Sequence, residues 1–101
     1  LQDFRDMAIR LTDERLAHIL EHPEMAGMEA EIERTLRKPE MVVVSLSDSQ
    51  AHLYYRYYLE TPSAGKYLCV VVKVGIDDGF VLTAYLTDRV KQGKQIWPNV
   101  K

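Results

Sequence analysis

The chain predicts an α+β fold: two N-terminal helices packed on one face of a four-stranded antiparallel sheet. Three observations predict it. Apolar residues recur at helical spacing as far as about residue 37. After Pro39 the pattern changes to β-branched and tyrosine-rich runs. Clusters of Gly, Pro, Asp and Ser divide those runs at hairpin intervals. A chain of 101 residues has the size of one domain, expected as a helical layer over about 12–37, a sheet over about 41–87 and a tail over 88–101.

Each element follows from local chemistry. Met7 to Leu11 reads as a lead-in segment of unassigned type. Thr12 is a helix N-cap, and Asp13 and Glu14 follow in the first turn, where the helix dipole favours acids. Leu16, Ile19 and Leu20 form one apolar face, and Pro23 disfavours helix at His22, so the first helix ends there. A second helix is expected from Glu24 to about Arg37, with Met25, Met28, Ile32 and Leu36 as its stripe and Pro39 as its stop. Met41–Ser45, Ala51–Glu60, Tyr67–Val74 and Phe80–Thr87 are the strands. Turn residues Ser47 to Ser49, the loop Thr61–Lys66 and the Gly75–Gly79 turn join them.

Composition narrows the class. With 47% apolar and 28% charged residues the chain is neither disordered nor membrane-spanning, and its apolar runs are strand-length. No charged-then-apolar leader opens it, and because it begins at Leu1 without a methionine, a natural start upstream is an expectation. One cysteine, Cys69, excludes an internal disulfide and a multi-cysteine zinc site. A cytoplasmic location is expected. Residues 1–40 carry ten acids against six bases, a net −4, whereas residues 41–101 carry five against seven, a net +2. The overall −2 argues against bulk electrostatic binding to nucleic acid but permits a local phosphate site.

Strand alternation assigns the faces. In the last two strands Leu68, Val70, Val72 and Val74 line up with Phe80, Leu82, Ala84 and Leu86 as the rows to be buried under the helices. In the tyrosine strand Leu53, Tyr55, Tyr57 and Leu59 take that role, opposite His52, Tyr54, Arg56 and Tyr58. The open face then presents Arg56, Lys73, Thr83, Tyr54, Tyr58, Tyr85 and Thr87. Cations, hydroxyls and rings together suit a phosphate and a stacked base, while a polar solvated face is also the ordinary state of an antiparallel sheet.

Other motifs reduce to structure. His18–His22 spells H-x-x-E-H, but Pro23 follows directly and no third ligand is in sight, so no metal or cofactor is expected. Pro62–Lys66 echoes a P-loop yet has Glu60 where the first glycine belongs and Tyr67 where Ser or Thr belongs. Asp77 and Asp78 are turn acids without further calcium ligands. Imidazole is suited to proton transfer near neutral pH, so His18 reads either as a helix surface residue or as a general acid or base.

The order of short motifs carries a resemblance. Leu11-Thr12 leads to His18, then His22-Pro23-Glu24, Ile32, Thr35-Leu36 and Pro39. A tyrosine-rich strand with Arg56 follows, then Leu68–Lys73, Val81-Leu82-Thr83-Ala84-Tyr85 and Trp97. Over roughly residues 11–97 this resembles the phage and mobile-element branch of the barnase/EndoU/colicin/RelE-like nuclease superfamily. The resemblance implies a RelE- or barnase-like α+β fold and a toxin-like, metal-independent ribonuclease. In such an enzyme the ribose 2′-hydroxyl attacks the adjacent phosphorus. It implies His18 as acid or base, Arg56 and Lys73 on the phosphate, and Thr83 as hydrogen bonder. His22, Tyr54, Tyr58, Tyr85 and Trp97 would hold the substrate. RNA, and a cognate antitoxin or immunity protein, would be the partners, and no membrane.

Two further readings stay open. One is a non-catalytic binding module using the same face. The other is a structural or oligomerisation domain pairing with a second copy through a sheet edge. The enzyme reading requires His18, Arg56 and Thr83 to converge on one cleft.

Overall fold

The computed structural model describes residues 1–99. The last two positions of the expected tail, Val100 and Lys101, lie outside the described residues. The chain is α+β, but its sheet has six strands rather than four, and it is mixed rather than antiparallel throughout. In chain order these are β1 (Ala8–Arg10), β2 (Met41–Ser45), β3 (Ala51–Tyr58), β4 (Lys66–Val74), β5 (Asp78–Thr87) and β6 (Gly93–Trp97). The spatial order is β1-β5-β4-β3-β2-β6, with β1 parallel to β5 and every other pair antiparallel. The two additions are the outermost strands. The lead-in segment supplies β1, and the expected tail supplies β6.

Helix α1 (Asp13–Leu20) begins as its sequence dictates: the Thr12 side chain accepts a 3.1 Å bond from the Arg15 amide. Such a cap is worth ~1 kcal/mol. The expected second helix from Glu24 is instead two pieces, a 3-10 turn at Pro23–Met25 and helix α2 (Glu29–Arg37). Gly27 separates them at φ 76°, a left-handed conformation that glycine adopts without strain. Met25 and Met28 are both buried, so the apolar stripe is met by a turn and a cap rather than by one helix.

Both helices cover one face of the sheet, α1 over β5 and α2 over β4 and β3. Between them lies the main core, built around Ile19, Ile32, Leu36, Tyr54, Val70 and Val72. The N-terminal residues join this layer as a tight hairpin: Asp3 N–H bonds Met7 O, Ile9 N–H bonds Leu1 O, and Asp6 turns at φ 64°. Its tip reaches across to β6, where Phe4 and Trp97 stack at 4.9 Å between centroids.

The opposite face is not left bare. Residues 88–92 form a strap that carries the chain from β5 to β6, past β4, β3 and β2. Val90 packs there on a second apolar cluster of Val43, Leu53, Tyr55 and Cys69. The Lys91 amide donates to the Tyr55 hydroxyl at 3.0 Å. The sheet therefore has a core on each side, which decides the registers discussed below. No helix among the described residues is long and apolar enough to cross a membrane.

Candidate functional site

The expected catalytic group is dispersed. Thr83 is paired across strands with Val71, and Lys73 with Phe80, all on the face away from the helices. Arg56 pairs with Leu68, which belongs to the helix-side core, so its guanidinium is on the other side of the sheet. There it donates a 2.8 Å bond to the Lys38 carbonyl at the end of α2. His18 is on α1 with its side chain 69% exposed, and its Nδ1 lies 3.7 Å from Glu21. The shallow concavity beside it is lined by Thr12, Glu14, Arg15 and His18, with no strand residue. The required convergence of His18, Arg56 and Thr83 is absent.

The tyrosine strand is the origin of the error. Tyr54, Tyr58, Arg56 and His52 face the helices, while Leu53, Tyr55 and Tyr57 face the strap. Both rows of this strand are largely apolar, and both faces of the sheet are covered, so hydrophobicity does not choose between them. Hydroxyl partners do. Tyr54 finds Asp3 at 2.8 Å, and Tyr58 finds the Thr35 hydroxyl and the Glu31 carbonyl, each at 3.1 Å. A buried phenol needs such a partner. These two rings are architecture, not substrate contacts.

The last strand departs differently. A bulge at Leu82 breaks the pairing between Val71 and Val72, so the alternation is reset there. Val81 turns into the helix-side core and Phe80 turns out, 39% exposed, the reverse of the expected rows. Thr83, Tyr85 and Thr87, beyond the bulge, face the strap side as expected. His22 stands exposed before the 3-10 turn and makes no capping bond. Trp97 stacks on Phe4 and donates to the Pro39 carbonyl at 3.3 Å, which makes it a clasp of the helix-side layer rather than a base platform.

What the fold does gather is one cross-strand row. Arg10 of β1 pairs with Phe80 of β5, which pairs with Lys73 of β4. The Arg10 guanidinium lies 5.7 Å from the Phe80 ring centroid. Thr83, exposed, stands in the next row. An aromatic ring thus sits between two cations with a hydroxyl beside them. Each cation is oriented by an acid at the sheet end: Arg10 Nε lies 3.3 Å from Asp78, and Lys73 Nζ lies 2.5 Å from Asp48. That contact, with the Gln50 amide, holds the Asp48 carboxyl below its ordinary range. Arg10 and Phe80 were missed because β1 was unassigned and the bulge was invisible in an unbroken apolar alternation.

Under the strap the chemistry is closed off. Burial pushes the Cys69 thiol up to about 11 and the Tyr55 phenol up to about 12. Burial likewise raises Tyr85, whose ring lies under the Lys91 ammonium at 5.9 Å. Cys69 is therefore a protonated core residue, not a nucleophile. No three of His, Cys, Asp or Glu lie together as a metal site among the described residues.

The comparisons with known proteins place no relative beside this geometry: no family model matches the chain, and no curated protein or solved structure matches it either.

Proposed function

We propose that the chain is a non-catalytic RNA-binding domain that works through the strap-side face of its sheet. The observation that carries this reading is the Arg10–Phe80–Lys73 row with Thr83 alongside. A ring on a rigid strand stacks a base, and cations at either side meet the flanking phosphates. The Thr83 hydroxyl can donate to or accept from a ribose 2′-hydroxyl, the group that distinguishes RNA from DNA.

The toxin-like ribonuclease implied by the resemblance is the competing reading. Lys73 and Thr83 remain neighbours on this face and support it. Its acid and base would have to come from a group other than His18, which stands on the outer surface of the helical layer.

One experiment separates the two. Labelled single-stranded RNA is titrated with the protein in chelator, binding is followed by anisotropy, and the RNA is then run on a gel. Binding of RNA that stays intact, weakened by Phe80→Ala, supports the proposal. Cleavage abolished by Thr83→Ala or Lys73→Ala transfers support to the ribonuclease. Binding indifferent to Phe80 refutes the proposal, and neither binding nor cleavage refutes both uses of this face.

A further inference from the structure

On the other side of the molecule a groove of about 610 Å³ runs between α1 and α2. Its floor and walls are Leu11, Leu16, Leu20 and Ala30, with Leu1 at one end. Leu16 and Leu20 sit one turn apart on α1, so they present a continuous apolar strip along the groove. Gly27 opens the wall: at φ 76° it carries no Cβ, and nothing lies within 4 Å of where one would be. The rim is acidic. Asp13, Glu29 and Glu33 line it, no lysine or arginine does, and none of the three forms an ion pair among the described residues. Asp13 and Glu29 stand in first turns, where the helix dipole accounts for them. Glu33, in the middle of α2, has no such explanation.

We infer that this groove docks a basic amphipathic helix of a partner protein. The charge complementarity selects that occupant. An apolar strip between helices accepts the apolar face of a third helix through anchors one and two turns apart. Three unpaired carboxylates at the rim then favour Lys or Arg on the flanks of that helix and repel an acidic one. α1 has 8 residues, which sets a groove of about 12 Å, or two helical turns of contact. The groove and the RNA-binding row are on opposite faces of the sheet, so the two sites can be occupied together.

The test uses the full chain, labelled with ¹⁵N, and two synthetic peptides of about 14 residues with leucines at i, i+4 and i+7. One has lysine at the remaining positions and the other glutamate. The expected result is amide shift changes confined to α1, Gly27 and α2 with the lysine peptide and none with the glutamate peptide. Glu29→Lys with Glu33→Lys should weaken lysine-peptide binding at least about tenfold while the amide spectrum stays that of the folded chain, a lysine in the first turn of α2 lowering Tm only slightly at these exposed positions. Ala30→Trp, which fills the groove without altering charge, should weaken it comparably. Equal binding of both peptides, shift changes on the strap-side face, no binding at all, or full affinity in both variants would overturn the inference.

Discussion

The Tyr54 hydroxyl donates a 2.8 Å hydrogen bond to Asp3 Oδ2, joining the N-terminal hairpin to the middle of the sheet across 51 positions of sequence. Asp3 is 0% exposed, and its other oxygen accepts the Arg5 and Met7 amides at 2.9 and 3.0 Å. A buried carboxylate is tolerable only when its acceptor sites are filled in this way. Burial first, and the adjacent carboxylate second, raise the Tyr54 phenol far above its ordinary value, so it stays a donor at any physiological pH. Asp3→Ala strands the phenol and two amides together, and we expect it to cost about 2–4 kcal/mol. Tyr54→Phe leaves Asp3 with its two amide partners and should cost less, about 1–2 kcal/mol. Urea unfolding of both single variants and the double variant measures the coupling; strict additivity would show that the pair contributes nothing jointly.

His52 should give the chain a stability step just below neutrality. Its ring lies on the helix side, its Nδ1 is buried without a hydrogen-bond partner, and burial holds its pKa below the ordinary 6.5. The nearby Arg5 charge acts in the same direction, and Asp3 opposes it. The folded state then resists the proton that the unfolded state accepts. Stability is thus fully present above the unfolded pKa and is lost as pH falls through the lowered folded one. Denaturant midpoints between pH 7.5 and 5 should decline in the wild type and decline less in His52→Gln. Parallel profiles would exclude His52 as the cause.

The parts of the fold legible in the sequence were those with a local cause. Thr12, Pro23 and Pro39 each act within a few residues: α1 starts directly after Thr12 and stops before Pro23, and α2 stops before Pro39, although α2 starts at Glu29 rather than Glu24 and β5 begins inside the expected Gly75–Gly79 turn. The strands β1 and β6 were not legible because what makes them strands is distant. Ala8–Arg10 pairs with the start of β5, some seventy positions later, and Gly93–Trp97 pairs with β2 some fifty positions earlier. Nothing in three or five residues announces such a partner. The face assignment failed at β3 for the same reason, because Asp3 and Thr35 decide which tyrosines turn inward. Of the candidate site, Lys73, Thr83 and Tyr85 were placed on the correct face by alternation alone. Arg56 was misplaced with its strand, and Phe80 was hidden by a one-residue bulge.

The row proposed to bind RNA makes a contrast that side-chain chemistry alone does not. Phe80→Ala should lower affinity for single-stranded RNA by about 5- to 100-fold, the value of one stacked base. Lys73→Ala and Arg10→Ala should each weaken binding by a smaller factor and flatten its salt dependence by about one counterion. Arg56→Ala removes the same charge from the other face and should leave affinity unchanged. Anisotropy titrations at several salt concentrations give both numbers. An Arg56 effect equal to that of Lys73 would mean that bulk charge, not this row, holds the RNA.

Gly93 tests whether the unexpected sixth strand matters to the rest. It pairs with Ser45, and a Cβ at this position would run into the Val44 carbonyl oxygen and the Val43 side chain. Backbone does not yield as a flexible side chain does, so Gly93→Ala should part β6 from β2 and cost about 1–3 kcal/mol. The consequence reaches the opposite end of the chain, since Trp97 of β6 stacks on Phe4 of the N-terminal hairpin. The chain has one tryptophan, so its fluorescence reports this contact without interference. Gly93→Ala should red-shift the emission and lower the denaturant midpoint together. Lys94→Ala, at an exposed position on the same strand, should do neither. A Gly93→Ala protein with unshifted emission and unchanged stability would show that β6 does not pair as closely with β2 as this register requires.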